Sequence, residues 1–281
     1  MRKATKLVYP ASTARKTTTK IRRVMARDSW DPAQYERFKQ ERSAPFFDLM
    51  ALLTRSPHQR VLDLGCGTGE LTRELHRALL ARETLGVDNS DSMLAQSTRF
   101  EGEGLSFEKA DLATFSAREP FDIVFSNAAV QWVENHAALF VRLLGLVAPG
   151  GQLAVQMPAN HDHVSHLLAH EIAAREPYRT ALGGYVRTSP VLPVEDYALL
   201  LHQLGAEQQQ VMLRVYSHTL GSTADIVEWV KGTLLTDYQK RLSAALFEAY
   251  LADYRRELIQ RMGHLRPCFY PFKRILLWAK K

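Results

Sequence analysis

The chain reads as an α/β protein, a mostly parallel sheet with helices on both faces. Three observations predict it. Short, near-continuous apolar runs alternate with helical patterns from residue 60 to residue 158, as expected for strands buried on both sides. The first run, Val61-Leu62-Asp63-Leu64, enters the turn Gly65-Cys66-Gly67-Thr68-Gly69 without a break. Acidic residues mark the ends of successive strands at Asp63, Asp88 and Asp111, the edge where open α/β sheets hold ligands.

The elements follow in chain order. From Asp31 to Leu53 the residues Tyr35, Phe38, Phe46, Leu49, Met50 and Leu53 recur at helical spacing. Pro45 predicts a kink or break that makes two helices of this stretch. Apolar runs place strands at 60–64, 84–88, 105–109, 121–127 and 152–157. Helical periodicity fills 70–80, 91–99 and 135–147, with Pro149-Gly150-Gly151 closing the last. Beyond Pro158 the pattern loosens into a helix over 162–176 and a loop over 178–193 punctuated by Gly and Pro. A helix over 194–204 starts after Pro193 and stops at Gly205. A strand over 210–218, two or three helices over 223–262 and a final strand over 270–279 complete the chain. The organisation is one α/β domain over 28–281, with a helical insertion around 161–192 and 222–262 on the ligand side.

Composition excludes several classes. Apolar residues are 46% and charged residues 23% of 281, the balance of an ordinary globular protein. No apolar run approaches the roughly 20 residues of a membrane helix, so no membrane partner is expected. Cys66 and Cys268 lie far apart and form no ligand pattern, which suits a reducing, cytoplasmic setting. The net charge of +6 is misleading, because residues 1–27 carry nine Lys or Arg and no acid. The other 27 basic residues face 30 acids, a net charge of −3 over 28–281. The basicity is therefore no evidence for a nucleic-acid-binding body. The segment reads as a disordered extension. A transit peptide, or a stretch outside the working protein ahead of Met25, are the other readings. Nothing in the sequence sets the oligomeric state.

The glycine pattern is Asp-x-Gly-x-Gly-x-Gly over Asp63, Gly65, Gly67 and Gly69, not the Gly-x-Gly-x-x-Gly of dinucleotide binders. Asp63 would be a poor neighbour for a pyrophosphate and a good one for a ligand ammonium. Asp88, followed by Asn89, stands 19 residues past Gly69, where a carboxylate can accept both ribose hydroxyls. Ser90 is the better helix cap there and leaves Asp88 for the ligand. Met93, on the first turn of the next helix, either covers an adenine face or packs into the core. Asp111, with Leu112, either accepts the adenine amino hydrogens or caps a turn at 112–116. Asn127 ends the fourth strand beside the methyl-transfer position. Three acids at successive strand ends together with the glycine turn select S-adenosyl-L-methionine over NAD.

Further segments carry a more specific resemblance: Trp30-Asp31-Pro32 with Tyr35, Phe38 and Glu41-Arg42-Ser43; Asn127-Ala128-Ala129-Val130-Gln131-Trp132; Ala154-Val155-Gln156-Met157-Pro158 with Asn160; and Pro271-Phe272-Lys273-Arg274. On these, residues 28–281 resemble the trans-aconitate methyltransferases, within the class I methyltransferases of Rossmann-like fold. The resemblance implies a seven-stranded sheet of order 3-2-1-4-5-7-6 with the last strand antiparallel. It also implies methyl transfer from S-adenosylmethionine to a carboxylate of a small polycarboxylic acid. A carboxylate is ionised at neutral pH, so no general base is expected, only alignment and fixed cations.

Arg42 and Arg274, in matching segments, are the expected carboxylate anchors, because an arginine fork binds a carboxylate through two bonds. The alternatives are a helix-capping Arg42 and a solvated Arg274. Gln131 and Trp132 are expected to wall the methyl pocket, although Trp132 also suits a core position, and Asn160 is expected to contact the acceptor. His161, His163, His166 and His170 carry no metal-site spacing with a carboxylate, and they read as a solvated helix face. Residues 161–192 match the family poorly, so the acceptor is the open point. A methyltransferase acting on malonyl-carrier-protein thioesters and a binding module without turnover are the alternatives.

Overall fold

Neighbouring residues of each central strand divide between two apolar layers, as the period-2 geometry of a strand requires. Val61, Ile123, Ala154 and Leu276 join a cluster on one face, and Leu62, Val124, Val155 and Leu277 join one on the other. The structure, a computed structural model, describes the backbone of residues 39–281 and side chains from Ser43 onward. The expectations for residues 1–38, including the basic extension, and for the side chain of Arg42 lie outside the described residues.

The sheet contains β1 (Arg60–Leu64), β2 (Glu83–Asp88), β3 (Leu105–Lys109), β4 (Phe121–Asn127), β5 (Val147–Pro158), β6 (Gln208–Leu220) and β7 (Cys268–Lys280). Their order is β3-β2-β1-β4-β5-β7-β6. Strands β1 to β5 pair in parallel, and β7 runs antiparallel between β5 and β6. The class I methyltransferase order inferred from the sequence is thus the one observed.

Helix α1 (Lys39–Met50) runs through Pro45 as one element, so the expectation of a kink or break there is not met as a break. Pro45 removes one backbone donor, but Phe46, Leu49 and Met50 behind it are buried against the sheet, and that packing holds the helix together. Helix α2 (Glu70–Leu79) follows the glycine turn. Helix α3 (Asp91–Ser97) starts on Ser90, whose hydroxyl accepts from Met93 N at 3.2 Å, and ends in a 3-10 turn over Thr98–Phe100. Helix α4 (His136–Gly145) is capped by the Asn135 side chain.

Pro149-Gly150-Gly151 does not close α4 but lies inside β5. The pairing of β4 with β5 shifts register between Phe121 and Ile123. A Cβ on Gly151 would lie 2.7 Å from the Asp122 carbonyl, so the irregular pairing needs a glycine where it crosses β4.

Beyond the sheet, α5 (Val164–Ala173), the short α6 (Tyr178–Ala181), α8 (Ala224–Lys231), α9 (Thr236–Arg241) and α10 (Ala244–Met262) share a third cluster. Helix α7 (Val194–Gln203) instead packs on the sheet through Tyr197 and Leu201. The third cluster is rich in tyrosine, and its hydroxyls are satisfied. Tyr250 donates to the Ala169 carbonyl at 2.7 Å and Tyr254 to the Ser165 carbonyl at 2.8 Å. This helical layer faces the carboxyl ends of the parallel strands across a cavity of about 850 Å³.

Candidate active site

The cavity starts at the glycine turn. Gly65 N and Cys66 N both donate to the Val87 carbonyl, at 2.7 and 3.0 Å, so the turn is fastened to β2. Gly65 has φ 82°, and a Cβ there would lie 2.2 Å from Ala129 Cβ. The loop after β4 thus approaches too closely for any side chain. Gly69, expected among the cofactor contacts, does not line the cavity. A Cβ on it would meet Phe107 and Ser97 at 2.7 Å, so its glycine lets the turn lie against β3 and α3.

Asp63 is 3% exposed, and its Oδ2 accepts from Thr72 Oγ1 at 2.6 Å. Burial pushes its carboxyl up to about 7, the Thr72 bond opposes that shift, and the Asp88 charge adds to it. A buried carboxyl facing a cavity favours a cationic ligand group, which would restore its ionised form.

Asp88 is not left free by Ser90. Its Oδ2 accepts from Gly67 N at 2.9 Å and its Oδ1 from Ser90 N at 2.9 Å. It therefore ties the glycine turn to the start of α3. Asp111 also serves a turn, accepting from Ala113 N at 2.8 Å. Asp88, Asn89, Met93, Asp111 and Leu112 all line the cavity. Met93 is at the same time 6% exposed, so it borders the cavity while packing into the core. At the end of β4, Asn127 Oδ1 and Gln131 Oε1 are buried acceptors without a partner among the described residues. Orphan buried acceptors are costly, and a ligand ammonium or hydroxyl would satisfy them. The carboxylates, the orphan acceptors and the close glycine turn together suit S-adenosylmethionine.

The opposite wall is basic. Arg274 on β7 is 5% exposed, with its guanidinium 4.9 Å from the Phe272 ring centre, so it is not a solvated strand residue. His161, His166 and His170 line the cavity, and of these only His161, ahead of α5, is exposed as expected. His166 and His170 lie where α5 borders the cavity, and that neighbourhood determines their charge. Burial, the neighbouring His163 and His170 and the charge of Arg187 push His166 down to about 3. His170 is lowered mainly by burial, then by Arg187. Among the described residues no group of three His, Cys, Asp or Glu is placed to hold a metal.

Asn160 also borders the cavity but is committed to the scaffold. Its Oδ1 accepts from Lys273 N at 3.1 Å and its Nδ2 donates to Tyr270 Oη at 3.4 Å. Trp132 is 37% exposed at the cavity wall, and the Arg187 guanidinium lies 4.5 Å from its ring centre. Arg187 and Lys240 also line the cavity, and sequence reasoning missed both. The only local signal is Gly183-Gly184 ahead of Arg187, which marks a loop but not its destination.

Residues 61–151 match the family model of a methyltransferase domain. A trans-aconitate 2-methyltransferase of Deinococcus radiodurans is 41% identical over 259 residues, covering 90% of this chain and 98% of the relative. One from Methylobacterium nodulans is 37% identical over 259 residues, with the same coverage of 90% and 98%. Among solved structures, a protein of Bacillus halodurans described as a methyltransferase gives a TM-score of 0.54 at 15% identity, covering 85% of this chain and 99% of that one. Phosphoethanolamine N-methyltransferase 2 of Haemonchus contortus, in complex with phosphomonomethylethanolamine and S-adenosylhomocysteine, gives 0.54 at 17% identity, covering 89% of this chain and 57% of that one. These two likenesses are of fold alone.

Proposed function

The chain belongs to the trans-aconitate 2-methyltransferase family of S-adenosylmethionine-dependent methyltransferases, and on that premise we propose that it esterifies one carboxylate of trans-aconitate or a closely similar small polycarboxylic acid. The observation that carries this reading is the charge division of the cavity. Asp63, Asp88 and Asp111 stand at the strand ends, whereas Arg274, Arg187 and Lys240 line the other side. The division is not absolute, since Lys109 and Asp237 border the cavity on the opposite sides. A cationic cofactor beside a polyanionic acceptor fits such a field.

S-Adenosylmethionine supplies a methyl group activated by its positively charged sulfur. In this reading Asp63, Asn127 and Gln131 receive the ammonium end and Asp88 the ribose. Asp111 and Leu112 meet the adenine, and Met93 covers its face. Arg274 holds a carboxylate that does not react, with Arg42 as a second anchor on that same carboxylate, and Trp132 excludes water from the oxygen that does. The reacting carboxylate is already ionised, so no group of the chain has to remove a proton. What remains is alignment at near-attack distance in a site of reduced polarity. Residues 161–192 and 222–262 form the part that encloses the acceptor, and the cytoplasm is the setting this reading favours.

The test is to incubate the purified protein and S-adenosylmethionine with trans-aconitate, citrate, isocitrate and a malonyl-carrier-protein thioester, following methyl esters by mass spectrometry. Trans-aconitate monomethyl ester is the expected product. Ester on the malonyl thioester alone would transfer the assignment to the carrier-protein reaction. Cofactor binding without any ester would leave a binding module.

A further inference from the structure

We propose that Arg187 is a specificity-determining residue for the acceptor, its guanidinium binding a second non-reacting carboxylate while Arg274 binds the first. This rests on the carboxylate-methylating reading above. Arg187 lies in the loop between α6 and α7. Its side chain is only 14% exposed, yet it borders the cavity.

Its charge is paired with Asp237, but its contacts leave one edge of the guanidinium open. Nη1 donates to the Thr233 and Leu234 carbonyls, each at 3.3 Å, and lies 3.5 Å from Asp237 Oδ2. All three are long, and all fall on one nitrogen. Nε and Nη2 have no hydrogen-bond partner among the described residues. The guanidinium lies over the Trp132 ring, 4.5 Å from its centre, a contact that steadies it without using an N–H. An arginine held in this way presents a free edge, the geometry that takes a carboxylate through two bonds.

Its place in the cavity completes the argument. Trp132 follows the β4 end, where Asn127 and Gln131 keep their orphan acceptors. His166 and His170 feel the Arg187 charge. The His166 ring lies 6.3 Å from the Phe272 ring, and Arg274 lies against that same ring. The two arginines thus border one basic wall from different elements, a loop and β7. A tricarboxylate offers one oxygen for methylation and two carboxylates to hold. A dicarboxylate leaves only one to hold, and Arg274 takes it.

The test measures binding of trans-aconitate and of succinate to the S-adenosylhomocysteine-loaded protein by calorimetry, for the wild type, Arg187→Gln and Arg187→Lys. Arg187→Gln is expected to weaken trans-aconitate by roughly 10- to 100-fold, the range for a lost charged hydrogen-bonding group. Succinate should weaken less than about threefold, and Arg187→Lys should recover part of the loss because it restores charge without the fork. Affinity for S-adenosylhomocysteine should not change. Equal losses for both acids, or a parallel loss of S-adenosylhomocysteine, would make Arg187 a loop anchor and overturn the proposal, as would unchanged trans-aconitate binding. A wild type that binds neither acid would remove the functional reading itself, and this inference with it.

Discussion

Asp63 lies in the floor of the glycine turn with a neutral hydroxyl, that of Thr72, as its donor. Folding raises its pKa from 3.8 to about 7. Its contribution to stability is complete below about pH 4 and is lost as the pH rises through 7, where the buried carboxylate must ionise. A ligand ammonium reverses the balance by favouring the carboxylate, so binding below pH 7 has to release a proton. The expected result is that affinity for S-adenosylmethionine rises between about pH 6 and 8 and levels off above. Asp63→Asn should flatten that slope and lower the affinity at pH 8. Calorimetry in two buffers of different ionisation heat measures the released proton. A wild-type affinity independent of pH would place the ammonium away from Asp63.

At the scale of elements, β7 joins the two halves of the molecule. It pairs with β5 over Gln152–Pro158 and with β6 along its whole length, and it carries Arg274 to the cavity. Asn160 extends that pairing past the end of β5. Its carboxamide accepts from Lys273 N, and Ala159 N donates to the Lys273 carbonyl at 2.9 Å. Asn160→Ala would leave the Lys273 N–H buried and unpaired, a loss of about 1–3 kcal/mol. Urea denaturation should show that loss, accompanied by a higher acceptor KM as Arg274 shifts. A higher KM at unchanged stability would instead mean direct contact between Asn160 and the acceptor.

For the whole molecule, the cavity is a boundary between two charge environments, and this determines its response to acid. His136, His163, His166 and His170 are all lowered, in each case chiefly by burial. Their folded pKa values lie below the unfolded 6.5, so the unfolded chain binds more protons as the pH falls. Stability is complete above about pH 6.5 and declines beneath it. Asp63 works in the opposite direction, but as one group against four. The thermal midpoint should therefore fall between pH 7 and 5. Trans-aconitate should restore part of it, because a polyanion on the basic wall makes protonation of His166 less costly. Acetate at equal ionic strength should restore less. A midpoint flat over this range would mean the histidines are more open to water than their packing suggests.

Much of the fold was legible because its signals are local. Strand ends, the glycine turn and the Ser90 cap each depend on residues a few positions apart, and most predicted strands and helices lie within a few residues of the observed ones. The exceptions are β5, which starts at Val147 rather than at 152, and α6, which forms within the stretch 178–193 expected to be loop. The strand order came from family resemblance and not from periodicity. Decisions that depend on what lies opposite were not legible. Pro45 stays helical because the sheet packs behind it, Pro149-Gly150-Gly151 joins a strand because β4 passes beside it, and Gly69 makes room for Phe107. The same limit applies to the site. The acids sit on strands whose parallel order brings their ends together, so their positions in the chain already imply a cluster. Arg187, His166 and His170 reach the cavity through a loop and a helical layer held by long-range packing, and no local pattern records the contacts that carry them there. The chain alone thus determined the acidic side of the cavity, and tertiary packing decided which residues complete the basic side.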